Sequence, residues 1–126
     1  MKFIVILFIS IIYSISIGSS DYSYSRYRVI TTGYCPCSIC CGKFADGITA
    51  TGTNAYNPGI AIDPNIFDLG SHFDVPGYNR RKNGSWIKAD DTGSKIKGYH
   101  IDLRFKTHKE AMHYGKKIIY VRVWNF

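Results

Sequence analysis

Apolar and polar residues alternate in several short segments of the chain, and turn-forming residues separate these segments about every ten positions. A period of two is typical of strands that bury one face. The predicted strands cover residues 27–32, 60–64, 72–78, 86–89, 101–105 and 118–124. Many short strands at this spacing predict an all-β fold, a small closed or nearly closed β-barrel.

One short helix is predicted near the end of the chain. Thr107 and Glu110 match a capping box, in which the threonine hydroxyl accepts from the backbone and the glutamate reaches back. The helix would run through Tyr114, and Gly115 would follow its last turn.

Residues 1–20 have the layout of a secretory signal peptide. Lys2 precedes a long apolar run, and small residues follow at 18–20. Residues 21–126 are then long enough for one small domain. We expect this mature chain to be a secreted, extracellular monomer without a stable membrane anchor.

The chain is basic, with 16 Lys and Arg against 9 Asp and Glu and a formal charge of +7. Such a balance favours polyanionic partners, and for an exported protein acidic wall polymers fit best. The basic residues are scattered and do not cluster with stacking aromatic residues. The pattern therefore argues against nucleic acid as a partner.

All four cysteines, Cys35, Cys37, Cys40 and Cys41, fall within seven residues. In an exported chain an even number of cysteines favours disulfides. A vicinal Cys40–Cys41 bridge would need a strained peptide, so we expect Cys35 and Cys37 to pair with Cys40 and Cys41. Zinc bound by the four cysteines and free thiols are the alternatives, and a second arm of zinc ligands is not evident in the sequence.

The polar residue that stands out most is Asp102, which lies between Ile101 and Leu103 in a predicted strand. Alternation places its side chain on the face opposite these two apolar neighbours. Aspartate is disfavoured in strands. With Asp91 just upstream, Asp102 is a candidate for chemistry, although a solvent-facing aspartate would produce the same pattern.

A series of short motifs resembles the three-aspartate (3D) domain family, which is similar to the catalytic barrel of membrane-bound lytic transglycosylase A. The resemblance extends from about residue 30 to residue 124. The motifs are Tyr34-Cys-Pro-Cys, Thr49-Ala-Thr-Gly-Thr53, Gly59-Ile-Ala-Ile-Asp63-Pro64, Val75-Pro-Gly-Tyr78, Asp91-Thr-Gly93, Ile96-Lys-Gly98 and Ile101-Asp-Leu103. The resemblance implies a six-stranded double-psi β-barrel. It also implies an enzyme that cleaves peptidoglycan between N-acetylmuramic acid and N-acetylglucosamine and leaves a 1,6-anhydro end.

Carried over by position, the three aspartates of the family are Asp63, Asp91 and Asp102, and Asp102 is the catalytic acid/base. The candidate substrate contacts are Thr51, Gly93, Lys97 and Tyr99. The chain departs from the family pattern at Ser94, at 72–74 and at Asp90, which adds a fourth carboxylate.

A lytic reaction explains why one acid/base can suffice. The C6 hydroxyl of the sugar attacks its own anomeric carbon, so no second carboxylate has to activate water. The acid must hold a proton near working pH, and burial beside other carboxylates would raise its pKa. We expect Asp63, Asp91 and Asp90 to supply this crowding for Asp102.

Two other functions fit part of the sequence. A non-catalytic wall-binding barrel, similar to expansins and barwin, would use Tyr56, Tyr78, Trp86 or Tyr99 to stack on sugars. Carboxylates also suit calcium or magnesium, but the close ligand spacing of a calcium loop is absent from the sequence. We expect no metal and no cofactor.

Overall fold

Six strands form a closed barrel in a computed structural model that describes residues 23–78 and 86–125. The predicted leader at 1–20 lies outside the described residues. The strands are β1 (Ser25–Tyr34), β2 (Ile60–Ala61), β3 (His72–Asp74), β4 (Ile87–Asp91), β5 (His100–Arg104) and β6 (Lys117–Trp124). Two short helices, α1 (Ser38–Cys41) and α2 (His108–Tyr114), follow β1 and β5.

The strand order around the barrel is β1-β5-β2-β4-β3-β6. Strands β1 and β5 are parallel, as are β2 and β4, and the other four pairs are antiparallel. Exchanging the first three strands for the last three reproduces the same order and the same directions. The predicted all-β barrel is confirmed. Two parallel strand pairs related by an internal two-fold symmetry are expected of a double-psi barrel.

The barrel interior is apolar, and half-buried and buried residues alternate along residues 100–103 of β5 as the sequence predicts. Ile101 and Leu103 of β5 are fully buried in the core, whereas His100 and Asp102 on the outer face are only half-buried. Burial of aliphatic side chains supplies most of the driving force for such a fold. The outer face of β5 is therefore left for polar residues.

Strands β1 and β5 run in the same direction and end together, so their following segments leave the same end of the barrel. Tyr34 pairs with Arg104, and the Phe105 N–H donates to the Tyr34 carbonyl at 2.7 Å. Gly33 allows α2 to pack closely, because a Cβ there would lie 2.8 Å from the Ala111 carbonyl oxygen. Within residues 23–78 and 86–125, neither helix is long and apolar enough to cross a membrane.

Helix α2 begins as predicted. The Thr107 side chain caps it by accepting from the Glu110 N–H, and Gly115 follows with a φ of 70°. Helix α1 and the 3-10 turn at Gly42–Phe44 were not predicted, because each is too short to show a periodic pattern.

A buried ion pair closes this end of the barrel. The Arg104 guanidinium donates to both carboxylate oxygens of Asp90 at 2.9 and 2.8 Å, and its Nε donates to the Asn57 carbonyl at 2.7 Å. Both charged residues are buried. Gly59 is required beside them, because a Cβ there would overlap the Arg104 guanidinium and the Asp90 carboxylate.

We predict that Asp90→Asn strongly destabilises the fold. The substitution leaves the Arg104 charge buried without its counter-ion, which typically costs about 3–5 kcal/mol. Urea unfolding of the variant and the wild-type chain measures the difference.

Asp74→Asn is the matched control, because Asp74 pairs with Arg122 on the exposed surface of the barrel. Exposed pairs contribute little, so this variant should unfold like the wild type. Equal losses in the two variants would contradict the importance of the buried pair.

Candidate active site

One row of residues crosses four adjacent strands on the outer face of the barrel. Thr32 of β1 is opposite Asp102, Asp102 is opposite Ala61 of β2, and Ala61 is opposite Asp91 of β4. Neighbouring strands are about 4.8 Å apart, so the backbones of the two aspartates are separated by roughly 10 Å. Only a small residue, Ala61, stands between them.

Asp102 is held in a half-buried position by two polar neighbours. The Thr32 hydroxyl donates to Asp102 Oδ1 at 2.9 Å, and His100 Nε2 is 2.7 Å from the same hydroxyl oxygen. The threonine has one proton to give and gives it to Asp102. We therefore assign the Nε2–H tautomer to His100, which donates to Thr32.

The environment of Asp102 favours its protonated form. Burial raises its pKa to about 6, and the negative charge of Asp91 adds to this effect, while the Thr32 hydrogen bond acts in the opposite direction. Burial also lowers the pKa of His100, so the imidazole is neutral at neutral pH. The site thus offers a carboxylic acid that exchanges its proton near neutrality.

A small apolar cluster lies beside the row and supplies part of this burial. It consists of Tyr34, Ala61 and Ile96, with Cys40 and Cys41 packed against it. Gly93 leaves room for Ile96, because a Cβ at Gly93 would lie 3.0 Å from Ile96 Cγ1.

Asp91 is fixed by three donors. The Tyr34 hydroxyl donates to its Oδ2 at 2.8 Å, and the backbone N–H groups of Ala50 and Thr92 donate to its Oδ1 at 2.9 Å each. The Tyr34 oxygen in turn accepts from Arg104 Nη1 at 3.2 Å. The buried ion pair therefore supports the orientation of Asp91.

Asp63 has a different environment from the other two family aspartates. Its carboxylate accepts from the Gly98 N–H at 2.8 Å and from the Asn65 N–H at 3.0 Å. These donors, with Gly98 first, lower the pKa of Asp63. Asp63 is thus an ionised anchor that ties the segment after β2 to the turn that enters β5.

The expected crowding of Asp102 by three other carboxylates needs correction. Its pKa is raised by burial first and by Asp91 second. Asp90 is neutralised by Arg104, and Asp63 is engaged with backbone N–H groups. Of the expected partners, only Asp91 contributes charge to Asp102.

The candidate substrate contacts are divided between two places. Thr51 donates to the Asp90 carbonyl at 2.9 Å, and Gly93 belongs to the turn that follows Asp91. Lys97 and Tyr99 instead line a shallow depression of about 340 Å³ beside His100 and Arg28. All four predicted residues thus lie on segments next to the outer row, and their contact with substrate remains a prediction.

The four aromatic residues suggested as sugar platforms are not equivalent. Tyr56 and Tyr99 are exposed by more than half, and Tyr99 stacks on Tyr27 with ring centroids 6.0 Å apart. Tyr78 is a core residue that is 2% exposed, so its proposed role as a platform is wrong. Trp86 is half-buried and packs against Trp124.

The expected cysteine pairing is also corrected. Cys35 and Cys37 form the disulfide, whereas Cys40 and Cys41 are free thiols. Adjacent residues on a helical turn point in different directions. Accordingly, Cys40 Sγ lies 3.3 Å from His108 Nδ1, while Cys41 donates to the Cys35 carbonyl at 3.2 Å.

Three residues of the site, Thr32, Tyr34 and His100, were not assigned a role from the sequence. Tyr34 reaches Asp91 of β4 from the end of β1. Thr32 and His100 meet through the parallel pairing of β1 with β5, which joins segments about 70 residues apart. No local signal in the sequence specifies that register.

Comparison with known proteins identifies the family of the chain. The family model described as "3D domain" matches residues 58–126, a span that contains Asp63, Asp91 and Asp102. This chain belongs to the 3D domain family. The match begins after β1, so Thr32 and the cysteines lie outside it.

Three proteins from Bacillus subtilis (strain 168) are similar to this chain in sequence. "Putative cell wall shaping protein YabE" is 39% identical over 77% of this chain and 22% of its own length. "Cell wall-binding protein YocH" is 40% identical over 63% of this chain and 27% of its own. "SPbeta prophage-derived uncharacterized protein YorM" is 30% identical over 86% and 46%. The chain thus spans less than half of the length of each of these relatives.

The two polar neighbours of Asp102 should shift its pKa in opposite directions. Thr32→Val removes a donor to the carboxylate and should raise the pKa above its wild-type value of about 6. Asp91→Asn removes a repelling charge and should lower it. Carbon-detected NMR titration of the aspartate side chains measures both shifts, and Asp102→Asn identifies the resonance.

Thr32→Ser is the control, because it retains the hydroxyl and should keep the pKa of Asp102 near the wild-type value. Shifts of the same sign in Thr32→Val and Asp91→Asn would contradict the described environment.

Proposed function

We propose that this 3D domain acts on the bacterial cell wall and cleaves its glycan strands as a lytic transglycosylase, with Asp102 as the single acid/base. The observation that carries the proposal is the half-buried Asp102 carboxyl, whose pKa is raised to about 6 next to Asp91. General acid–base catalysis is most effective when the pKa of the acid lies near the working pH.

The proposed reaction needs one proton and returns it. Protonated Asp102 gives its proton to the oxygen that joins N-acetylmuramic acid to N-acetylglucosamine, and the bond from that oxygen to the anomeric carbon breaks. The C6 hydroxyl of the same muramic acid forms the new bond to this carbon and releases its proton to the Asp102 carboxylate. The products are a shortened strand with a 1,6-anhydro end and a free hydroxyl on N-acetylglucosamine.

Asp91 has a supporting role in this proposal. Its negative charge favours the proton on Asp102 before the reaction. The same charge would stabilise the positive charge that develops at the anomeric carbon. The hydrogen bonds from Tyr34, Ala50 and Thr92 keep Asp91 from turning away.

The relatives and the charge of the chain support the proposed substrate. Two relatives carry names that refer to the shaping or the binding of cell walls. The formal charge, which is +7 for the whole chain and +6 without Lys2 of the predicted leader, would attract this chain to acidic wall polymers.

Binding to the wall without cleavage is the second candidate function. The exposed rings of Tyr56 and Tyr99 favour it, because aromatic faces can stack on sugars. Such a protein would bind purified sacculi and release nothing soluble from them. A raised pKa at Asp102 would then have no use, which is why we place this candidate second.

Asp102→Asn should abolish the release of soluble muropeptides from purified sacculi. The amide keeps the shape and can still accept from Thr32, but it cannot exchange a proton. We expect a loss of at least about 10²–10⁴ in rate, the usual share of general acid–base catalysis. Chromatography with mass spectrometry of the released fragments measures it. Asp74→Asn, which changes an exposed aspartate on β3, should retain activity.

The stability of Asp102→Asn separates a catalytic effect from misfolding. The pKa of Asp102 is raised from its ordinary value of 3.8 to about 6 in the fold, so the wild-type chain loses stability as pH rises from 3.8 to about 6 and loses no more above that pH. The variant should therefore be more stable than the wild type at about pH 7.5, by at most roughly 2–3 kcal/mol, and similar near pH 3.5. A folded Asp102→Asn chain that cleaves glycan at the wild-type rate would refute the assignment.

A further inference from the structure

Three sulfur atoms and one imidazole converge at the end of the barrel where β1 and β5 finish. Cys35 Sγ lies 3.1 Å from Cys40 Sγ, and His108 Nδ1 lies 3.3 Å from Cys40 Sγ and 4.0 Å from Cys37 Sγ. The four ligand atoms all lie within 4.8 Å of one another. Among the described residues, no other group of three or more Cys, His, Asp or Glu side chains brings its possible ligand atoms this close together.

The fold explains why residues so distant in sequence meet here. The cysteines follow β1, and His108 opens α2 just after β5. The two strands are parallel neighbours, so both segments leave the barrel together. His108 thus provides the second arm of ligands that the sequence alone did not reveal.

The dimensions of the cluster are close to those of a tetrahedral zinc site. With Zn–S near 2.3 Å and Zn–N near 2.0–2.1 Å, two sulfur ligands lie about 3.8 Å apart and a sulfur and a nitrogen ligand about 3.6 Å apart. The distances of 3.1, 3.3 and 4.0 Å lie near these values. The sulfur atoms of Cys35 and Cys37 are bonded to each other and must separate before both can bind zinc. We propose that Cys35, Cys37, Cys40 and His108 bind one zinc ion when the cysteines are in their thiol form.

The zinc-bound chain and the chain with the Cys35–Cys37 disulfide are alternative states of the same residues. A thiol reductant supplies two electrons and two protons to the disulfide and is itself oxidised to a disulfide. Zinc then displaces the protons of the three thiols, which bind as thiolates beside the neutral imidazole. With four protein ligands, the site would be structural.

Such a site would brace one wall of the candidate active site. Cys40 and Cys41 pack on Tyr34, Ala61 and Ile96, the apolar cluster beside Asp102. Zinc would fix the segment that follows β1 to the start of α2 and would hold this cluster in place. The inference concerns metal binding alone and does not depend on the proposed enzymatic activity.

The test is to purify the full mature chain under a phosphine reductant, add zinc and remove the excess. Elemental analysis should then find about one zinc per chain. X-ray absorption at the zinc edge should give three sulfur ligands and one nitrogen ligand. A reduced wild-type chain that retains no zinc, or a site with four sulfur ligands, would overturn the proposal.

The variants identify the ligands and provide matched controls. Cys40→Ser and His108→Ala should lower zinc retention by at least about tenfold, the scale on which even outer-shell changes act. Cys41→Ser is the control for the thiols, because Cys41 faces the Cys35 carbonyl, and His113→Ala is the control for α2. Both controls should keep the zinc. Loss of zinc in Cys41→Ser with retention in His108→Ala would contradict the assigned ligands.

Cobalt titration of the wild-type chain gives an independent check if a ligand variant fails to fold. Cobalt in this site should produce thiolate charge-transfer absorption and the visible bands of tetrahedral coordination, and zinc should displace it. Octahedral cobalt without thiolate absorption would overturn the proposal without the use of any variant.

Discussion

The buried pair between Arg104 and Asp90 is the interaction on which this end of the barrel depends. It joins β5 to β4, and Arg104 also donates to the hydroxyl of Tyr34 on β1. Tyr34 passes the connection on to Asp91. The hydrogen bonds that satisfy a costly buried charge therefore also place Asp91 across Ala61 from Asp102.

The raised pKa of Asp102 depends more on packing than on neighbouring charge. Burial is the largest cause of the raised pKa of Asp102, and Asp91 comes second. The apolar cluster of Tyr34, Ala61 and Ile96 is thus part of the environment of Asp102, although we assign no proton transfer to its residues. A site of this kind trades stability for reactivity, because an ionised Asp102 is disfavoured in the fold.

Local patterns in the sequence were sufficient to predict the barrel and the face on which Asp102 lies. The alternation around Ile101 and Leu103 and the cap at Thr107 depend on neighbours within a few residues, and the structure has both. The partners of Asp102 could not be predicted, because Thr32 reaches it through a parallel register between distant strands. The same register brings His108 to the cysteines.

The family resemblance located the aspartates but could not assign their environments. Asp63, Asp91 and Asp102 look alike in the sequence, yet one accepts from backbone N–H groups of two turns, one from a tyrosine and two backbone N–H groups, and one from a threonine. Asp90, which is adjacent to Asp91 in the sequence, forms a buried ion pair with Arg104. Only the three-dimensional arrangement of donors distinguishes an anchor, an ion-pair partner and an acid.

The most direct test of the account is the structure of the product formed from purified sacculi in water enriched in oxygen-18. An internal attack by the C6 hydroxyl gives 1,6-anhydro fragments that are lighter by one water than hydrolysis products and carry no heavy oxygen. The account predicts these fragments from the wild-type chain. Reducing ends that carry oxygen-18 would contradict it, because they would require an activated water in place of a single acid/base at Asp102.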